Sequence, residues 1–211
     1  MANRKIIKIK RSIRYSDRII IILDDKSVFR IPEDVFVLNI LNEGDEVTTK
    51  EIKSYGKKMR LQEARDSANR LLGFRMRSIF EMKRRLKEKD FDQEEIDHTI
   101  QNLINKKFLN DEEFGRAFVK EKVRNKKIGP RALKKEIYQH NLPTELTESL
   151  IQEVYDEYSP KALIESHLTK KRIKRKTIIT EKDKKRLTDF LVRKGFYWDS
   201  IRDVYHDWEL I

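Results

Sequence analysis

The apolar positions of this chain follow two different rhythms. Up to about residue 45 they come in short runs: Ile19-Ile20-Ile21-Ile22-Leu23 is mostly β-branched, Asp24-Asp25-Lys26-Ser27 is rich in turn formers, and Val28-Phe29-Arg30-Ile31 is short and apolar before Pro32. β-Branched side chains suit a pleated surface and Asp and Ser suit a turn, so the pattern predicts a hairpin, joined by a further strand over Ile6 to Ile9. Pro32, whose φ is preset for a first helical turn, predicts a short helix carrying Val35, Phe36, Leu38 and Leu41 that Asn42-Glu43-Gly44 closes. This is a small β-containing module, not a barrel.

From about Thr49 the rhythm becomes helical, with apolar residues at i, i+3, i+4 and i+7 and few breakers. Within it a longer period emerges. Leu86 and Phe91 sit five apart, with Met82 before and Ile100 and Leu103 after. The same frame recurs at Leu133, Ile137, Leu142, Ile151 and Val154, and again at Leu187, Leu191, Phe196, Ile201, Tyr205 and Trp208. Polar residues repeat with it. Lys89-Asp90-Phe91, His140-Asn141-Leu142 and Lys194-Gly195-Phe196 put Asp, Asn or Gly where a left-handed helix end needs them. Ser78-Ile79-Phe80-Glu81 and Asp92-Gln93-Glu94-Glu95 read as capping boxes, and Gly129-Pro130 as a helix start. A preceding helix in each unit (Ala64 to Phe74, Asn110 to Lys122, Pro160 to Lys170) completes three tandem three-helix repeats. The predicted organisation is a module over 1–60, repeats over 61–109, 110–159 and 160–211, and a basic insert at 170–179 in the third.

Composition narrows the architecture. Only 38% of residues are hydrophobic and 40% are charged, so the core must be thin or divided among small units, which favours an elongated helical protein over a deep globule. The 48 Lys and Arg outnumber the 36 Asp and Glu, leaving a net charge of +12 that is distributed in blocks. Residues 62–89 carry nine basic and four acidic side chains, and residues 90–118 three and eight; residues 120–140 carry eight and two, and residues 141–160 none and five. Residues 161–186 carry eleven and three, and residues 187–211 three and five. The sign alternates once per repeat, which predicts a positive stripe from the first two helices of each unit, suited to a polyanion or an acidic groove. The densest stretch, Lys170-Lys171-Arg172-Ile173-Lys174-Arg175-Lys176, would neutralise phosphates without regard to base sequence.

Several chemistries find no seat. With no cysteine there is no disulfide framework, thiolate metal site, Cys nucleophile or iron–sulfur cluster, and a reducing compartment is expected. Neither a phosphate-cradling glycine loop nor an apolar run of signal or membrane-span length occurs, which predicts a cytoplasmic protein without membrane contact. Asp45 with Glu51-Ile52-Lys53 imitates the D…E-x-K arrangement of metal-dependent nucleases, but Thr49 to Tyr55 reads as a helix start rather than the adjacent strand such a site needs. His98, His140, His167 and His206 lack ligand spacing and read as surface or satisfied residues. No enzyme, metal or cofactor is predicted.

Three segments together resemble a known family. Arg75-Met76-Arg77-Ser78-Ile79-Phe80-Glu81 followed by Leu86, then Phe108-Leu109-Asn110-Asp111-Glu112-Glu113-Phe114, then Ile128-Gly129-Pro130-Arg131-Ala132-Leu133, are similar to the R-x-R-S-x-x-E-L, L-x-D-x-x-[FY]-A and K-G-P-x-x-[IL] motifs of RecX regulatory proteins. The first ~45 residues resemble the extension of Gram-positive members. Departures are Met82 for Leu, Gly115 for Ala, Ile128 for the first basic residue, and Leu142-Pro143 after Asn141. The resemblance implies a curved array of three-helix repeats that binds the recombinase RecA, lies in the groove of its filament on single-stranded DNA, and inhibits strand exchange, ATP hydrolysis and LexA co-protease activity.

On either footing, Leu86, Ile96, Leu133, Ile137, Leu187 and Leu191 are core positions, and Glu81 and Asp111 are helix-start carboxylates that oppose the dipole. The candidate RecA or DNA contacts are Arg75, Arg77, Arg84, Arg85, Lys126, Lys127, Arg131, Lys134, Lys135 and the insert cations Lys170, Lys171, Arg172, Lys174, Arg175 and Lys176. Trp198 and Trp208 read as packing residues rather than base-stacking ones. A monomer is expected. The rival reading is a helical protein that binds nucleic acid non-specifically and has no filament partner.

Overall fold

The computed structural model describes residues 3–15 and 17–210. The chain divides into two compact units, Met1–Arg75 with Met82–Phe108, and Met76–Glu81 with Leu109–Ile211.

In the first unit, β1 (Asn3–Arg11), β2 (Arg18–Leu23), β3 (Val28–Pro32) and β4 (Glu46–Thr48) form an antiparallel sheet in the order β3-β2-β1-β4. One face buries Ile6, Ile19, Ile21, Leu23, Phe29, Ile31 and Val47 against Tyr55. Strand β4 pairs Val47 with Arg4 and has no counterpart in the sequence reading, because three residues with one apolar side chain carry no readable alternation. The short helix α1 (Glu33–Leu38) stops before Leu41; Leu38 is exposed, while Leu41 packs on the core from outside the helix.

Helix α2 (Thr49–Phe74) opens on a capping box in which Thr48 accepts from the Glu51 N–H and Glu51 accepts from the Thr48 N–H. It runs 26 residues without a break, from the sheet, where Tyr55 stacks on Phe29, to the end of the first repeat's leading helix. Arg60 ties it to α4 (Gln93–Asn105), giving both Glu95 carboxylate oxygens hydrogen bonds of 3.0 Å and the Asp90 carbonyl one of 2.8 Å.

The three-helix repeats consist of α2 with α3 (Ile79–Lys87) and α4; of α5 (Asp111–Glu121), α6 (Pro130–Tyr138) and α7 (Thr144–Glu157); and of α8 (Pro160–Lys170), α9 (Glu181–Arg193) and α10 (Trp198–Asp207). The five-residue apolar spacing has a local cause. The Phe91 N–H bonds the Leu86 carbonyl at 3.4 Å and the Phe196 N–H bonds the Leu191 carbonyl at 3.2 Å, the long bond of a left-handed helix end. Asp90, Asn141 and Gly195 take the positive φ that this ending requires. Asp92 forms the expected capping box with Glu95, and Ser78 accepts from the Glu81 N–H. Leu86, Ile96, Leu133, Ile137, Leu187 and Leu191 are all buried. At Gly115 a Cβ would lie 2.5 Å from Leu150 Cδ1 and 3.0 Å from Leu142 Cδ1.

Candidate cationic interface between two repeats

The second unit brings segments from two repeats together through a pair of glycines. Gly129, which precedes α6, donates its N–H to the Lys194 carbonyl at 2.8 Å, and the Arg131 N–H bonds the Gly195 carbonyl at 3.0 Å. A Cβ on Gly129 would lie 2.5 Å from the Gly195 backbone, and one on Gly195 would lie 2.3 Å from the Ala132 nitrogen. The Gly-Pro start of α6 therefore does more than begin a helix. Its glycine admits the turn of the third repeat.

This contact gathers cations. Helix α5 ends in a π turn, Lys122–Lys126, after which Lys127 takes a left-handed φ of 48°. The Lys127 carbonyl accepts a hydrogen bond of 2.7 Å from His167 Nε2, and Lys127 Nζ reaches Ser166 Oγ. Because a carbonyl only accepts, Nε2 carries the proton. The His167 ring lies 5.4 Å from Phe190 and 5.9 Å from Phe196. Lys171 Nζ stands 4.4 Å from the centre of the Phe190 ring and Lys194 Nζ 5.9 Å from it. Burial pushes the His167 pKa below the ordinary imidazole value; the bond to Lys127 opposes this, while Lys194, Lys127 and Lys170 add to the lowering. A neutral imidazole thus sits among the ammonium groups of Lys127, Lys170 and Lys194, with that of Lys171 on the adjoining Phe190 ring. Among the described residues, none of Lys127, Lys170, Lys171 and Lys194 has a carboxylate within 4.0 Å.

The other candidates divide by their surroundings. Arg131, Lys134 and Lys135 are exposed on α6 with no ion-pair partner among the described residues, and so are Arg172 and Lys174 after α8. Lys126 shares Glu136 with Lys122. Arg175 lies over the Trp208 ring and 3.6 Å from Glu165, while the Lys176 N–H bonds the Trp208 carbonyl and its ammonium faces Glu209. The insert is thus fastened at its far end, and Ile173 and Ile179 pack on the core. In the first repeat Arg84 and Arg85 both turn to Glu88, at 3.7 and 2.8 Å. Arg75 follows α2 in extended backbone and is exposed.

Arg77 departs from expectation. Its side chain is only 9% exposed and pairs with Glu81, itself 5% exposed, so the first motif's second arginine is a packing element that holds the start of α3 rather than an outward cation. Asp111 serves α3 as well, accepting from the Ile79 N–H at 2.8 Å; burial raises its pKa, and that bond and His140 oppose the rise. Trp208 is packed and donates to Glu165 at 2.9 Å, but Trp198, at the first position of α10, is 54% exposed. Sequence reasoning missed Lys194, Phe190 and the role of His167. The one available signal was the recurrence of glycine at 129 and 195.

Of the nuclease-like residues, Glu51 caps α2 and Asp45 accepts from the Asn42 N–H. Among the described residues no three His, Asp or Glu side chains cluster as a metal site requires, and no helix is long and apolar enough to cross a membrane.

Comparison with known proteins gives this arrangement a context. The family model described as RecX, first three-helix domain, matches residues 64–103. Regulatory protein RecX of Bacillus subtilis is 32% identical over 202 residues, covering 93% of this chain and 74% of the relative; that of Bacillus velezensis is 30% identical over 197 residues with the same coverage. A crystal structure of regulatory protein RecX shares the fold with a TM-score of 0.68 at 20% identity, covering 96% of this chain and 97% of the other. A crystal structure of RecX from Lactobacillus salivarius does so with a TM-score of 0.58 at 19% identity, over 72% and 98% of the two chains. With its repeats, its motifs and two relatives at or above 30% identity over most of their length, the chain belongs to the family of the regulatory protein RecX.

Proposed function

We propose that this RecX-family protein binds RecA and RecA filaments on single-stranded DNA and inhibits their strand-exchange, ATPase and co-protease activities, acting as a monomer in the cytoplasm to restrain DNA repair and the SOS response. The observation that carries the reading is the set of uncompensated ammonium groups at the Gly129–Gly195 contact. Lys127, Lys170, Lys171 and Lys194 form its centre, with Arg131, Lys134, Lys135, Arg172 and Lys174 extending it along α6 and the insert. Ammonium groups that rest on an aromatic ring or a serine hydroxyl, rather than on carboxylates, keep their charge for an external polyanion. Three repeats offer several weak contacts in series, and a polymeric target converts them into avidity that a free protomer or a short oligonucleotide does not. The protein does no bond chemistry in this account. It acts by occupying the filament.

The test is a titration of the protein into RecA on single-stranded DNA, reading ATPase rate and binding. Affinity for the RecA–DNA complex is expected to exceed affinity for either component, with ATPase falling at a fixed ratio of protein to RecA and staying low when DNA is supplied in excess. Loss of inhibition under excess DNA would reduce the activity to competition for DNA, the behaviour of a non-specific nucleic-acid-binding protein without a filament partner.

A further inference from the structure

The N-terminal module carries a second basic surface, separate from the repeats in sequence. Nine of the first 32 residues are Lys or Arg and three are Asp. The sheet decides where they point. The register of β1 on β2 shifts between Ile6, opposite Leu23, and Lys8, opposite Ile22. Strict alternation from buried Ile6 would send Lys8 and Lys10 into the core; the irregularity at Ile7 reverses the faces, so that Ile9 packs inward and both lysines emerge. Cross-strand partners share a face. The open face therefore carries one row of Lys8, Ile22 and Val28 and another of Lys10, Ile20 and Arg30.

Beside the second row, the turn after β1 closes a cavity of about 420 Å³ lined by Lys10, Arg14, Tyr15, Ile20, Arg30 and Glu63, among others. Its aromatic wall is held firmly. The Arg18 guanidinium lies 4.1 Å from the centre of the Tyr15 ring and is fixed by Asp66 at 2.7 Å and Glu63 at 3.6 Å. Arg11 is tied to Glu33. Those pairs engage Glu33, Glu63 and Asp66, Glu43 accepts from the Ile9 N–H at 2.9 Å, and among the described residues Lys8, Lys10, Arg14 and Arg30 have no carboxylate within 4.0 Å. Arg14 leans on Tyr15 from 5.4 Å.

We propose that this face is a binding site for single-stranded nucleic acid, independent of any RecA contact. Lys8, Lys10, Arg14 and Arg30 would take the phosphates, while Tyr15 and Ile20 offer a base the aromatic and aliphatic surface that stacking needs. Charge complementarity selects a polyanion. The apolar floor among the cations distinguishes a splayed strand, which presents base faces, from an acidic protein segment, which presents none. A cavity of this size admits a nucleotide but not a duplex.

The experiment uses the full-length chain without RecA, measuring binding to a fluorescent oligothymidylate by anisotropy across a salt series. Lys10→Glu/Arg30→Glu is expected to weaken binding about tenfold, and Lys10→Gln/Arg30→Gln to lower the log–log salt slope by about 1.4, at roughly 0.7 for each phosphate no longer neutralised. Melting temperature and far-ultraviolet circular dichroism check that both variants fold, and the charge-neutral pair keeps the test valid if the reversed pair does not. Unchanged affinity and slope in the folded neutral pair would overturn the proposal. So would poly-glutamate binding at this face as tightly as the oligonucleotide, because the site would then be a dock for acidic protein. Binding to RecA measured without DNA is expected to survive in these variants, so failure here and failure of the filament reading give different results.

Discussion

Helix α3 and the contact between the second and third repeats are both rich in basic residues, yet they present different charge to the surroundings. Just past the end of α3, Glu88 lies four residues after Arg84 and three after Arg85 and faces both, while Lys83 reaches Asp97 on α4 at 3.1 Å. Exposed pairs of this kind contribute at most about 1 kcal/mol to stability, but they do cancel field. At the Gly129–Gly195 contact, the ammonium groups arrive from residues 127, 170, 171 and 194, and among the described residues none brings an acid with it. Counting charge by block cannot separate these cases. Helical spacing decides the first, and tertiary convergence the second.

The largest effect is expected from preventing that convergence. Gly195 has φ of +92°, and an added Cβ would lie 2.3 Å from the Ala132 nitrogen and 2.4 Å from its Cβ, both on a helix that cannot step aside. Gly195→Ala is expected to cost about 3 kcal/mol or more and to remove this contact's share of DNA binding, leaving that of the N-terminal face. Gly56→Ala, in α2 with no atom within 4 Å of the new methyl group, is expected to stabilise by up to about 1 kcal/mol. Urea unfolding of both variants checks the contrast.

Next in size is the difference between a buried paired cation and an unpaired one. Arg77→Met takes from the buried Glu81 carboxylate the guanidinium that faces it, and is expected to destabilise by about 3 kcal/mol. Lys171→Met removes a charge that repels its neighbours and rests on an aromatic ring, so the unfolding free energy should stay within about 0.5 kcal/mol of the parent. Equal losses would mean that burial of Arg77 does not set its role.

The salt dependence of DNA binding separates the two basic regions directly. Lys171→Ala/Lys194→Ala is expected to lower the log–log slope on single-stranded DNA by about 1.4, the yield of two phosphate contacts. Arg84→Ala/Arg85→Ala should lower it by less than half as much, since Glu88 already holds both side chains. Glu88→Gln sharpens the test, because freeing both arginines should raise the slope above that of the parent.

Much of the fold was legible because local chemistry and tertiary need coincide in it. The five-residue apolar step, the residues with positive φ and the cap at Asp92 are each a property of a few consecutive residues, and all three stand as the sequence implies. Strand β4 and the early stop of α1 were not legible, since one is a single Val paired across more than forty residues and the other depends on where the sheet leaves room. Of the candidate site, composition singles out Lys127, Lys170 and Lys171, whereas Lys194 and the His167–Phe190 support come beside them only through a backbone contact between glycines 66 residues apart. Arg77 differs for the reverse reason: Glu81 keeps its place in the first turn of α3, and burial of the pair, which i,i+4 spacing does not reveal, turns Arg77 onto it.

The smallest expected effect is a pH dependence centred on His167. Its folded pKa lies below the unfolded value of about 6.5, so below that pH the unfolded chain takes up a proton that the folded one resists. The stabilisation from the neutral ring is thus complete above a pH of about 6.5 and is lost as pH falls from there toward the folded pKa. The midpoint of thermal unfolding should drop by on the order of 2 °C between about pH 7 and 5.5, and His167→Gln, which can still donate to the Lys127 carbonyl, should flatten that drop. Lys127, Lys170 and Lys194 make protonation of the ring harder. A polyanion seated on them would offset their field and ease it, so saturating oligothymidylate should shrink the acid loss in the parent and leave His167→Gln unchanged. Equal acid loss with and without the oligonucleotide would mean that the DNA lies elsewhere on the molecule, away from the four lysines.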